Sequence, residues 1–340
     1  MFGLGKNSQE TDEAPVVPAR KRAHIIMLGN EKGGCGKTTS SMHLIVGLLR
    51  LGFKVGSIDI DSRQRSLSRY IENRRETMTR HNVTLPVPHH IIVQKSQLTV
   101  LDEAQNDERR RFDKAMGHVI DTCDFVIVDG PGNDTYLARL AHSYADTVIT
   151  PINDSFVDLD LLAQIDPQTL KVVRPSIYSE MLWEQKLARA KRDGRSLDWI
   201  VMRNRLSNID ARNKRHMNKA VEELSKRIGF RNAPGFSERV IFRELFLQGL
   251  TVFDVMESKT TISATMSHVA AKNEVRALLK FLNIPAIDEK LNAGKSPDSP
   301  MKEGADGKGE DLGMDTKEEK KAAKPSSSEA KSAEPMAAQA

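Results

Sequence analysis

Between Lys32 and Thr39 the chain places three glycines, two lysines and two threonines, directly after the apolar run Ile25 to Leu28. Those residue types at that spacing suit a polyphosphate. Glycines let successive backbone N–H groups point into one concavity, a following helix start adds its positive dipole end, and Lys37 supplies a point charge for β- and γ-phosphates. Thr38 would hold Mg²⁺ through its hydroxyl, with Gly33, Gly34, Cys35, Gly36 and Thr39 lining the cradle. Met42, Leu44, Ile45, Leu48 and Leu49 then repeat at helical spacing, so strand, loop and helix come in the order this chemistry needs.

Two further apolar runs close on acids. Val55 to Ile58 leads into Asp59-Ile60-Asp61, and Phe125 to Val128 ends on Asp129, followed by Gly130-Pro131-Gly132. Asp129 suits a magnesium ligand acting through the water shell. Alternation along an extended chain aims Asp59 and Asp61 to one side, where one serves the metal and the other positions or deprotonates an attacking water. Gly132 provides a hinge that could sense a γ-phosphate.

These motifs need a frame, and the pattern predicts one. Short apolar runs at 25–28, 55–58, 125–128, 147–150 and 199–202 alternate with helical patterns, which predicts an α/β fold: a mostly parallel sheet with helices on both faces. Sites in such sheets lie at the carboxyl ends of the strands, where each motif above falls. Composition divides the chain into a polar arm (1–22), one large domain (23–287) and a disordered polar tail (288–340), which has too few apolar residues to offset its ordering entropy. Net charge is +5 over 340 residues. The tail from Glu289 carries nine lysines against eleven acids, so the positive excess lies in the domain and points to an anionic partner. Two cysteines, Cys35 and Cys123, fit a reducing cytoplasm, and no apolar run approaches membrane-spanning length.

The phosphate loop departs from the general pattern in one respect: Glu31 stands where glycine is usual, and the extra Lys32 follows at once. This K-G-G-x-G-K-T-T form resembles the deviant Walker A motif of the ParA/MinD class of P-loop ATPases. Further blocks resemble the MipZ family within that class: Asp61 to Arg65, Asn153 to Asp158, Arg203 to Leu206 with Ala211 to Arg215, and Arg239 to Phe246. The resemblance spans about 24–285. It implies an ATPase using ATP and Mg²⁺, in which Lys32 reaches across a homodimer interface to the partner's nucleotide. Asp61 would activate water and Asp59 lie near the metal. Asn204 would hydrogen-bond adenine, with the Ala233-Pro234-Gly235-Phe236 loop closing over the ring and Pro234 in contact; on local grounds Asn204 could instead be a turn or helix cap. Relatives usually carry threonine where Gly130 stands. The family further implies non-specific binding to duplex DNA, contact with a ParB-like centromere-binding protein, inhibition of FtsZ assembly, and a cytoplasmic, nucleoid-associated location. MinD-type relatives end in a membrane helix, but the final fifty residues here lack an apolar face, so stable membrane association is not expected.

One cluster tests the DNA expectation. Arg203, Arg205, Arg212, Lys214, Arg215 and Lys219 fall within seventeen residues, with Arg212, Arg215 and Lys219 on one helical face. Such a stripe could neutralise several phosphates; a solvated charged face is the alternative. No aromatic residue interleaves with these charges, which favours duplex phosphates over stacked single-stranded bases. Two other activities are compatible with the loop: a ParA-type partition ATPase, and an ATP-dependent ligase of the dethiobiotin or cobyrinate type, for which no organic-acid pocket is evident. Cys35, near a helix start, where thiol pKa values fall, is read chiefly as standing in for a small residue, with a reactive thiol as the alternative. Adjacent His89 and His90 on a strand would face opposite ways, which disfavours joint metal ligation. The last apolar helix, with Val275, Leu278, Leu279 and Leu282, is expected to pack on the core.

Overall fold

The computed structural model describes residues 22–166, 169, 171–206, 211–255 and 264–293, leaving aside the side chains of 211–214. The expected arm falls outside these residues except for Arg22, as does the expected tail beyond Ala293. In chain order the elements are β1 (His24–Leu28), α1 (Lys37–Arg50), β2 (Val55–Asp59), α2 (Ser66–His81), β3 (His89–Ile92), α3 (Leu101–Val119), β4 (Phe125–Asp129), α4 (Tyr136–Tyr144), β5 (Thr147–Asn153) and α5 (Phe156–Leu159). They continue with β6 (Ala163–Ile165), β7 (Val172–Pro175), α6 (Ile177–Asp193), β8 (Asp198–Asn204), α7 (Ala211–Leu224), β9 (Arg231–Ala233), α8 (Ile241–Leu247), α9 (Val252–Val255), α10 (Met266–Phe281) and α11 (Pro285–Ala293).

Seven strands form one parallel sheet in the order β3-β2-β4-β1-β5-β8-β9, and β6 and β7 form a separate antiparallel hairpin. The five apolar runs occupy its middle, as their continuous burial requires. Alternate residues of β1 serve opposite layers: Ile26 and Leu28 pack with Met42, Ile45, Val275 and Leu278, whereas Ile25 and Met27 pack with Phe112, Leu137 and Leu182. The apolar face of α10 is thus buried in the core. β1 lies between β4 and β5, and the chain leaves it toward β2 on one side but reaches β5 on the other after β4. A crevice opens at the carboxyl end of β1, where those connections diverge.

The domain extends past 287. In α11, Ile287 and Leu291 are four residues apart and both buried, so a polar-looking segment still docks one apolar stripe. A second unforeseen anchor fixes α2. The fully buried Arg74 donates to Asp254, Gly249 O and Pro86 O. Burial alone would raise the pKa of Asp254, but Arg74 and Arg50 hold it at about 2.

Candidate active site

The loop after β1 forms the floor of a cleft of about 670 Å³, lined by Gly33, Gly34, Gly36, Lys37, Thr38 and Thr39. Gly36 caps α1 with φ 94°, and a Cβ there would meet Asn204 Nδ2 at 2.0 Å, so only glycine fits. Lys37 is buried, and its ammonium donates to Lys32 O at 2.9 Å. Two residues outside the motif brace the loop. Asn30 donates to Pro151 O and accepts from Lys32 N, both at 2.6 Å, while Tyr178 of α6 donates to Gly29 O at 2.9 Å. Cys35 is buried too, and burial pushes its thiol up, overriding the fall expected at a helix start. Lys32 is absent from the cleft lining: its Nζ donates to Val157 O at 2.7 Å and to Asp158 Oδ1 at 3.1 Å.

The acids converge on the same crevice. Asp59 and Asp129 are register partners on adjacent strands, both buried. Thr38 Oγ1 donates to Asp129 Oδ2 and Ser41 Oγ to its Oδ1, each at 2.7 Å. Burial, then the neighbouring Asp59, pushes Asp129 up to about 7. Burial also raises Asp59, against hydrogen bonds from Ser68 and Asp61. Two buried carboxyls beside a threonine hydroxyl make an oxygen-donor set that suits a magnesium ion sharing its shell with water and phosphate. Asp61 lies in the loop beyond β2, so strand alternation does not place it. Its N–H donates to Asp59 Oδ1 at 3.0 Å, its own Oδ1 accepts from Gln64 N at 3.0 Å, and it lines the cleft. Gly130 follows from close packing: a Cβ would meet Met27 Cε at 2.5 Å and Leu28 O at 2.9 Å.

The raised Asp129 predicts a pH effect. Because its folded pKa exceeds its unfolded value, the stabilising protonated form is complete below about pH 4 and lost as pH rises through about 7. Thermal unfolding of the nucleotide-free, metal-free protein should therefore show a stability loss between about pH 4 and 7 that Asp129→Asn lessens. Equal pH slopes in the two proteins would contradict the assignment.

A side pocket of about 240 Å³ adjoins the cradle, sharing Gly36, Thr39, Arg205 and Phe246 with the main cleft. Asn204 lines it, donating to Cys35 O at 2.8 Å and accepting from Arg205 N at 2.9 Å. The wall over it is not Pro234, which is exposed and outside the lining, nor Phe236, which is buried against Phe242. Ser237, Arg239, Phe242, Arg243 and Phe246 form it instead. Nothing near the loop signals these residues.

The basic cluster separates into distinct settings. Arg203 turns inward, its guanidinium bonding to Asp154 at 3.0 Å and to Asn218 at 2.5 Å, and is part-buried. Arg205, at φ 55°, lines the cleft. Arg215 and Lys219 are exposed on α7. Arg212 and Lys214 belong to the same helix, but their side chains lie outside those described.

A glycine loop with a buried lysine at a helix start, facing paired strand-end carboxylates, defines a P-loop ATP hydrolase. Residues 24–286 match the ATPase MipZ family, and the chain belongs to it. A putative replication protein A from Sinorhizobium fredii is 28% identical over 182 residues, 44% of each chain. An iron-sulfur cluster carrier protein from Aquifex aeolicus is 51% identical over 45 residues, 13% of this chain and 12% of that one. The chain therefore spans less than half the length of these curated relatives. Among solved structures, the Cyanothece McdA variant in complex with ATP superposes with a TM-score of 0.52 at 14% identity, covering 77% of this chain and 97% of that one, a likeness of fold. Among the described residues, no helix is long and apolar enough to cross a membrane.

Proposed function

We propose that this ATPase is a dimerising switch: ATP binding pairs two copies, the pair holds duplex DNA without sequence preference, and hydrolysis separates it. The observation that carries this reading is Lys32, whose ammonium is held by Val157 and Asp158 rather than aimed into its own cradle. A lysine in the phosphate loop that does not serve the chain's own site is free to serve another's.

In the proposed cycle, backbone N–H groups of the loop and Lys37 hold the phosphates, and Asn204 with the Phe242 and Phe246 wall holds the base. Thr38, Asp59 and Asp129 hold Mg²⁺, which offsets the charge on the phosphates. Asp61 orients the attacking water. Arg215 and Lys219 face solvent on α7 and suit phosphate contact. Contact with a ParB-like protein and inhibition of FtsZ rest on family membership. A ParA-type partition ATPase shares the nucleotide chemistry and lacks the effect on FtsZ, so FtsZ sedimentation with protein and ATP separates the two.

The direct test is retention on random duplex DNA with and without ATP, alongside size-exclusion chromatography. DNA retention and a dimer that both require ATP support the switch, and a monomer indifferent to ATP sinks it. Lys32→Ala should bind ATP yet stay monomeric. A double Arg215→Ala, Lys219→Ala variant should weaken retention uniformly across sequences and lower the salt slope by about 2. Arg203→Ala should instead lower thermal stability.

A further inference from the structure

His90, on the edge strand β3, stands in register opposite Ser57 of β2 and spans two hydroxyls. Its Nδ1 lies 2.9 Å from Ser57 Oγ, and its Nε2 lies 3.0 Å from Ser68 Oγ of α2. Ser68 Oγ in turn donates to Asp59 Oδ2 at 2.7 Å, beside the Ser68 N–H at 2.9 Å. With Asp59 ionised, as a metal ligand would be, the directions follow. An ionised Asp59 only accepts, so Ser68 gives it the hydroxyl proton and must itself accept from His90 Nε2–H. Nδ1 is then bare and accepts from Ser57. Burial first, then Arg75 and Arg65, lowers the His90 pKa to about 4, consistent with a neutral ring.

We propose that His90 is a positioning residue for ATP hydrolysis, fixing the Asp59 carboxylate through Ser68. A serine in the first turn of a helix has competing acceptors in nearby carbonyls, and its hydroxyl can rotate to them. A donor from His90 occupies the Ser68 lone pair that faces β3 and leaves the hydroxyl proton for Asp59. Asp59 Oδ2 is thereby pinned, and Oδ1 keeps the Asp61 N–H at 3.0 Å. Metal ligand and water-orienting loop are therefore held by one chain of bonds that begins at the sheet edge.

The inference rests on the metal site proposed above. It is tested with His90→Asn and His90→Gln, which keep a polar group of similar size. The Asn amide reaches only the Nδ1 level and falls short of Ser68; the Gln amide reaches the Nε2 level. Outer-shell groups of this kind contribute on the order of tenfold or more. His90→Asn should therefore lose about tenfold in kcat, keep KM for ATP within about twofold, and need several-fold more Mg²⁺ to bind a non-hydrolysable ATP analogue in a titration without turnover. His90→Gln should stay within about twofold of the wild type in each. Matched behaviour of the two variants, whether both intact or both impaired, overturns the role of His90. Wild-type hydrolysis indifferent to added magnesium instead overturns the metal reading beneath it.

Discussion

Asp61→Ala is expected to slow ATP hydrolysis at least about 100-fold while leaving ATP affinity within about threefold. Asp61 Oδ1 accepts from the N–H groups of Arg63 and Gln64, and its own N–H is tied to Asp59. The carboxylate is thus held at the lip of the cleft by its own loop, and no described side chain bonds to its Oδ2. That is the setting of a group that orients a water, and it contributes little to holding the phosphates. Alanine keeps the backbone bond to Asp59, so the metal-side geometry survives. Single-turnover phosphate release beside equilibrium nucleotide binding separates the two effects. A loss of less than about fivefold in rate would assign the water to another residue. The variant should also persist as the ATP-bound dimer on DNA, because the step that resets the proposed switch is the one removed.

Lys37→Ala should cost at least about 100-fold in ATP affinity, equivalent to about 2.7 kcal/mol. Its effect on the nucleotide-free protein should be small. The buried ammonium finds one carbonyl acceptor at 2.9 Å and a thiol 3.8 Å away, poor return for a desolvated charge. Removing it relieves that burial, which offsets the lost bond and packing. With phosphate present, the same ammonium becomes a charge-assisted donor inside a ring of N–H groups. Isothermal titration with ATP and a thermal melt without it read the two halves. Strong destabilisation without nucleotide would mean that Lys37 braces the fold and is not held ready for an anion.

What the sequence made legible follows from how local each signal is. The cradle is one strand, one turn and one helix start, all within Ile25 to Leu49. Asp129 ends an apolar run in the same way, and the continuous runs behind both predicted central parallel strands. β9 escaped that logic, being an edge strand of three residues that carries Arg231, and β3, legible as a strand around His89 and His90, is too short and polar to count among the sheet's apolar runs. The wall of the side pocket escaped it too, because Phe242 and Phe246 reach the site through packing with no local periodic mark. Arg203 shows the opposite failure: a charge counted toward a surface stripe satisfies Asp154 in the interior. The His90 chain links residues 33, 22 and 9 apart across three elements, which no spacing rule anticipates.

The bond between Lys32 and Asp158 has a consequence for protein concentration. In a nucleotide-driven dimer, each lysine must leave its own Asp158 before it can reach across. The home carboxylate is a tethered rival, present at high effective concentration however dilute the protein. Pairing then begins only where the gain across the interface exceeds that local hold, so the strength of one surface ion pair helps set the crowding at which the switch turns on. Small changes around Asp158 would move that threshold without touching the nucleotide.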